Sequence, residues 1–170
     1  MTAPRIRRRR ATDLDGCVAA LALVHRADRY PLNWPADPHR WLREPRPARA
    51  WVAVDADSAI VGHVAVHRLP DPADAPLTRP TAEVARLFVS PSARGAGLGG
   101  ALLTRAWRWA SERGTDLALE VAASDTAAAA LYERTGWRCA GTSTAQWNAP
   151  DGGAVSLRRY TLAADAAPKR

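Results

Sequence analysis

Apolar and polar positions change period several times along this chain, and each change marks an element. In "ATDLDGCVAALALVHRADR" the apolar positions Leu14, Val18 and Leu21 share a face with His25, with Val24 beside them, which is the period of a helix. Thr12 is its expected N-cap, with Asp15 at N3. A short strand at 6–9 precedes it. Three prolines, Pro31, Pro35 and Pro38, then interrupt any regular helix, leaving a loop with one helical turn near His39–Arg43. "AWVAVDADSAIVGHVAVHRL" reads as two strands about a turn at 55–58, followed by a Pro-rich loop at 71–81.

"AEVARLFVS" is a further strand, stopped by Pro91. A glycine-rich loop follows, then a helix to about Arg113 with Leu102, Leu103, Ala106 and Ala110 on one stripe. "LALEV" at 117–121 is a strand, and "DTAAAALYERTG" an Ala-rich helix closed by Gly136. A last hairpin joins "WRCAGTSTAQW" to "AVSLRRYTL" across "NAPDGG". Hairpins flank one strand–loop–helix–strand unit at 83–121. The expected fold is therefore α/β, a mixed and mostly antiparallel sheet with helices on both faces. The domain is expected over 1–162, with 163–170 a disordered tail.

Composition narrows the class. The chain has 170 residues, 47% of them hydrophobic, enough for one domain with one core. The basic N-terminus has no apolar segment after it, so it does not read as a secretory signal. No apolar run approaches a membrane span. Cys17 and Cys139 form neither a disulfide framework nor a metal-ligand spacing, and both read as inert thiols in a reducing, cytoplasmic setting. The net charge of +7 favours an anionic partner. Its densest run, Arg7–Arg10, reads as a solvated edge strand, and no nucleic-acid motif accompanies it. His63 and His67 lie on one face of a strand, about 13 Å apart and too far to share a metal, so they are expected at the strand surface or on a substrate wall.

The candidate chemistry lies in "ARGAGLGG". Gly95, Gly97 and Gly100 satisfy the dinucleotide pattern G-x-G-x-x-G, with Glu120 at the distance of a ribose-binding acid. The chain around it does not fit that fold. Strands precede the motif, an antiparallel hairpin ends the chain, and Val121 continues the strand past Glu120. Arg94, Gly97 and Gly99 satisfy a second pattern, R-x-x-G-x-G, which suits a phosphate at a helix N-terminus.

"AEVARLFVSPSARGAGLGGALL" and "DTAAAALYERTGWR" together resemble the cofactor motif and later helix of the GNAT (GCN5-related N-acetyltransferase) superfamily, in that family's order. The resemblance implies a GNAT fold with a splayed central strand pair, and an acetyl-CoA-dependent transfer of an acetyl group to a primary amine by direct attack. The acceptor would be a small-molecule amine or a peptide N-terminus, and the protein a monomer or homodimer. It also implies roles. The backbone of Arg94, Gly95, Ala96, Gly97, Leu98, Gly99 and Gly100 would hold the pyrophosphate of coenzyme A. The backbone of the Leu87, Phe88, Val89 run would pair with the pantetheine arm. Glu83 would be the general base, with Glu120 a second candidate, and Tyr132 the general acid. Asp125 stands where the family often has Asn, so it either contacts the cofactor or caps the Ala-rich helix. Trp34, Trp41 and Trp147 would wall the acceptor site. No metal is implied. The alternative is a non-catalytic, regulatory acyl-CoA-binding domain.

Overall fold

Helix α1, Leu14–Asp28, buries Cys17, Ala20, Leu21 and Val24. Its entry differs from expectation. A 3-10 turn at Ala11–Asp13 leads into it, and Asp13 rather than Thr12 holds the start. The Asp13 carboxylate accepts the Arg10 amide at 2.6 Å and both ends of the Arg7 guanidinium at 2.7 and 2.8 Å. A carboxylate satisfies the amide and a cation together, which a hydroxyl cannot. The computed structural model describes residues 4–69 and 79–169, so most of the Pro-rich stretch at 71–81 lies outside the described residues.

The remaining elements fall close to the expected positions. They are β1 (Arg5–Arg8), α2 (Pro38–Arg43), β2 (Arg49–Val54), β3 (Ile60–Arg68) and β4 (Thr81–Val89). Then come α3 (Leu98–Ser111), β5 (Asp116–Ala122), α4 (Thr126–Arg134), β6 (Arg138–Asn148) and β7 (Ala154–Leu162). The strands form one seven-stranded sheet in the order β1-β2-β3-β4-β5-β7-β6. Only β4 and β5 run parallel.

Two cores cover the two faces of the sheet. Trp51, Val64, Val66, Val84, Leu102, Leu103, Leu117, Tyr132 and Tyr160 belong to the α3 and α4 side. Cys17, Leu21, Val24, Leu42, Val52 and Phe88 form the core under α1 and α2. A central strand covered on both faces has no surface. That is why His63, with no exposed area, is an interior residue rather than the surface or substrate-wall position expected of it, and why His67, at 7% exposed, is nearly buried, meeting only a cavity on the α1 and α2 face.

Strand β4 carries a bulge. Its register against β3 steps between His63↔Phe88 and Ala65↔Ala85, and Arg86 within it sits at φ 55°. An extra residue reverses the alternation of faces. Ala82 and Val84 before the bulge pack on the α3 side, and so do Leu87 and Val89 after it, while Phe88 turns to the α1 side. The parallel pairing of β4 with β5 is short, running only from Thr81↔Asp116 to Glu83↔Ala118. Beyond it the strands part, and β5 continues against β7 to Ala122↔Leu157. The splayed central pair is therefore present.

The segment after β7 is docked rather than loose as far as Lys169. The Ala164 amide donates to Asp116 Oδ1 at 2.8 Å, the Trp107 indole to Ala163 O at 3.2 Å and the Lys169 amide to Thr135 O at 3.1 Å. Ala164 is buried, and Asp165 pairs with Arg79 at 3.0 Å. An alanine-rich sequence carries no periodic signal for such docking, because its backbone makes most of the contacts.

Candidate active site

The glycine loop joins β4 to α3 through a 3-10 turn at Pro91–Ala93. Gly95 and Gly97 adopt left-handed φ of 83° and 72°, and a Cβ placed on either would meet nothing within 4 Å. Ala96 is exposed between them. Their glycine requirement is conformational, and the space above them is open. Gly99 has a different reason. A Cβ at Gly99 would lie a tight 3.1 Å from Leu131 Cδ2, so Gly99 eases the approach of α3 to α4, whereas one at Gly100 would make only an ordinary 3.5 Å contact with Thr135 Cγ2.

Gly97 is the N-cap of α3, and the first helical bond runs from the Ala101 amide to Gly97 O. The amides of Leu98, Gly99 and Gly100 are left facing outward, with the positive end of the helix dipole behind them. A groove of about 540 Å³ beside them is lined in part by Gly97, Gly100, Arg105, Arg108, Arg134 and Lys169. Glycine amides, a helix N-terminus and basic side chains together fit a phosphate-bearing ligand. The Arg94 side chain takes no part in the loop's open face. It donates to Val89 O at 3.1 and 3.2 Å and pairs with Asp28 at the end of α1.

Strand alternation decides what faces the gap between β4 and β5. The Ser90 amide donates to Val61 O at 2.8 Å on the β3 side. The Phe88 backbone then also points to β3, and the backbone groups of Leu87 and Val89 point to the gap. Phe88 departs from its expected place among the ligand-binding residues. Its ring is buried and stacked on His63, with centroids 5.2 Å apart.

Glu83 lies half-buried on the α1 face of β4. Its register partner is Ala118, and Glu120 lies two residues further along β5 on the same face. Burial pushes the Glu83 carboxyl above the usual carboxylate range, the Glu120 charge adds to this, and the Arg86 and Arg159 guanidiniums offset part of it. Glu120 is exposed and paired in register with Arg159 of β7. Arg86 stacks over the Trp41 ring at 3.8 Å and donates to Trp41 O at 3.2 Å, so Trp41 is the bed of an arginine rather than a free wall.

Tyr132 approaches from α4. It is buried against Trp137 and Tyr160, with ring centroids at 6.0 and 5.5 Å. Its hydroxyl has no hydrogen-bond partner among the described residues, and burial holds the phenol in its protonated form well above the ordinary range. Asp125 serves as the cap of α4, accepting the Ala128 amide at 2.9 Å.

Sequence reasoning missed Tyr30. Its ring packs edge-on to Trp41 with centroids 6.3 Å apart, and burial pushes its phenol up to about 12, with Arg86 lowering and Asp125 raising it. A lone tyrosine before a proline-rich loop carries no signal of that packing. The loop after α1 meets the final hairpin through Asn33 Nδ2, which donates to Asn148 O at 2.8 Å. Trp34, which leans on His25 at 5.1 Å, and Trp147 adjoin these two asparagines in sequence and are 40% and 45% exposed. Among the described residues no His, Cys, Asp or Glu cluster could hold a metal ion, and no helix is long and apolar enough to cross a membrane.

A family model described as Acetyltransferase (GNAT) family matches residues 18–137. No curated protein matches the sequence. Among solved structures, Arabidopsis thaliana NAA60 in complex with a bisubstrate analogue superposes with a TM-score of 0.74 at 17% identity, covering 95% of this chain and 98% of that one. The ribosomal-protein-S18-alanine N-acetyltransferase of Escherichia coli gives 0.74 at 22% identity, with 96% of each chain covered. A phosphinothricin acetyltransferase of Sinorhizobium meliloti in complex with AcCoA gives 0.72 at 18%, covering 95% and 89%. At these identities the likeness is one of fold.

Proposed function

We propose, for a chain that belongs to the acetyltransferase (GNAT) family, that it transfers an acetyl group from acetyl-CoA to a primary amine by direct attack. The observation that carries this reading is the outward-facing glycine loop at the N-terminus of α3 beside strands β4 and β5 that part after Glu83; a half-buried Glu83 with its carboxyl raised by burial and a buried Tyr132 on α4 support the roles given to them.

The outward amides of the loop and first turn of α3, from Arg94 to Gly100, would hold the pyrophosphate. The backbone of Leu87 and Val89 would pair with the pantetheine arm. Asp125 contributes by fixing the start of α4, which carries Tyr132. When bound, acetyl-CoA supplies an activated thioester. Glu83 removes a proton from the acceptor's ammonium, directly or through water, and frees the lone pair that forms the new C–N bond. A carboxyl raised above its ordinary value is a better match to that proton than a solvated one. Tyr132 gives its proton to the sulfur as the C–S bond breaks; the amide nitrogen then sheds its second proton, Glu83 releases the one it took to solvent, and the phenolate is reprotonated. A protonated phenol beside the departing thiolate is a suitable donor. Both thiols of the chain are free, in keeping with a reducing, cytoplasmic setting.

The test is thiol release from acetyl-CoA in the presence of a panel of primary amines, with mass detection of the acetylated product. Amine-dependent release that falls in Glu83→Gln supports the reading. A protein that binds acetyl-CoA but transfers to no amine would instead be a regulatory binding domain.

A further inference from the structure

On the α1 and α2 face of the sheet, where β1, β2 and β3 meet the α2–β2 connection, lies a cavity of about 800 Å³. Among the described residues, seven arginines line it against one acid. That acid, Glu44, is already taken by Arg40 at 2.6 Å. Arg9 is tied to Leu42 O and to His63, and Arg43 to His39 O. Arg8, Arg10, Arg46, Arg49 and Arg68 have no acidic partner among the described residues. Like charges gathered in a concave, partly dry site repel unless an anion joins them.

A second observation points inward. Arg49 Nε and His67 Nδ1 are buried and, among the described residues, have no hydrogen-bond partner. His67 is only 7% exposed and lines the same cavity. Native proteins rarely leave such groups unpaired, and an acceptor atom of a ligand would satisfy both. The third observation is position. His67 is the register partner of Glu83 across β3 and β4. Cross-strand partners share a face with Cβ atoms about 5 Å apart.

We propose that this arginine cavity is the acid-binding subsite of the acceptor. The amine substrate is a small molecule that also carries a carboxylate or phosphate group, held by Arg49, Arg68 and His67 while its amine reaches Glu83. The proposal rests on Glu83 being the acceptor's base. Its spacing favours acid and amine groups a few bonds apart. A concave site of this size with a buried, unpaired Arg49 Nε and His67 Nδ1 at its base suits a small anionic ligand, whereas a nucleic acid needs an extended stripe of positive charge.

Two measurements test it. The first is calorimetric binding of inorganic pyrophosphate to protein saturated with coenzyme A, so that the glycine loop is already filled. Binding is expected in the parent protein and reduced about ten- to hundredfold in Arg49→Met. The double variant Arg46→Gln/Arg68→Gln alters only exposed residues and guards against an unfolded Arg49→Met. It should weaken binding as well, whereas Arg138→Gln, exposed on β6, should not. The second measurement compares acetylation of n-propylamine, 3-aminopropanoate and 3-aminopropyl phosphate. The acid-bearing amines should have kcat/KM at least about tenfold higher, with pyrophosphate competing, and Arg49→Met should raise their KM at little cost in kcat.

Equal or better use of n-propylamine overturns the proposal, and so does pyrophosphate binding that fails to compete with the acceptor. An equal loss of binding in Arg138→Gln, pointing to net charge alone, does the same. If coenzyme A binds but no amine is acetylated, the transferase reading fails along with the acceptor subsite. If amines are acetylated but pyrophosphate does not bind at Arg49, only the subsite fails.

Discussion

The buried His63 imidazole donates from Nδ1 to the carbonyl of Arg86 at 2.8 Å, and Arg86 is the left-handed residue of the β4 bulge. The tautomer follows from the other nitrogen. Arg9 Nη1 lies 2.9 Å from Nε2, and a guanidinium can only donate, so Nε2 accepts and Nδ1 carries the proton. The interior of β3 thus fixes the bulge that turns Glu83 and Leu87 to opposite faces. It also holds Arg86 on Trp41 beside the gap.

This histidine makes the fold sensitive to acid. Burial drives the His63 pKa from 6.5 down to about 3, and that of His67 falls for the same first reason. Above pH 6.5 both folded and unfolded chains are neutral at His63. Below it the unfolded chain takes a proton that the folded one refuses, so stability is lost by about 1.4 kcal/mol per pH unit towards pH 3. Urea denaturation from pH 7.5 to 5 should show the fall. His63→Asn should be about 1–3 kcal/mol less stable at pH 7.5, because Arg9 loses its acceptor, but should show a shallower acid slope. An unchanged slope assigns the titration elsewhere.

Glu83→Gln should lower kcat/KM by about 10²–10⁴-fold. In the parent protein the rate should fall as pH drops through the raised Glu83 pKa, because the base must be ionised. Glu120→Gln removes one cause of that rise. The acid limb of the pH–rate profile should therefore move to lower pH, and a move to higher pH would contradict the electrostatic account.

Tyr132→Phe should lower kcat by about 10²-fold while leaving the dissociation constant for coenzyme A nearly unchanged. Acetyl thioesters of more acidic thiols need less help in leaving, so the deficit should shrink with them. A deficit independent of the leaving thiol would reduce Tyr132 to a packing residue.

The loop glycines should fail in different ways. Gly97→Ala meets no atom but keeps a left-handed φ of 72°, so it should cost about 1–2 kcal/mol and weaken coenzyme A binding. Gly99→Ala places its Cβ a tight 3.1 Å from Leu131 Cδ2, which must give by a few tenths of an ångström. Leu131→Ala should rescue Gly99→Ala and leave Gly97→Ala uncorrected. A double-mutant cycle on melting temperature reads the difference.

Much of the site could be read from the chain because its signals are local. The loop at 94–100 and the helix carrying Tyr132 are contiguous stretches with their own period and caps. Glu83 and Glu120 follow from period-two alternation on strands that the pattern already marked. Phe88 escaped that logic, because the bulge at Arg86 shifts the alternation by one residue and turns the Phe88 ring away from the gap. Tyr30 escaped for lack of any periodic neighbour. The run Arg7–Arg10 looked uniform, yet Arg7 pairs with Asp13, Arg9 reaches His63, and Arg8 and Arg10 face the cavity.

By itself, the sequence determined the order of the elements, the two helix starts that frame the candidate site and the family resemblance. Turns, caps and hydrophobic period act over a few residues and need no partner. The tertiary structure alone decided that β3 is covered on both faces, that β4 and β5 part after Glu83, and that arginines from three strands and a loop share one cavity. Those outcomes depend on strand register and on packing between distant segments. Neither is encoded in any single stretch, because each is the compromise that buries the most apolar area at once.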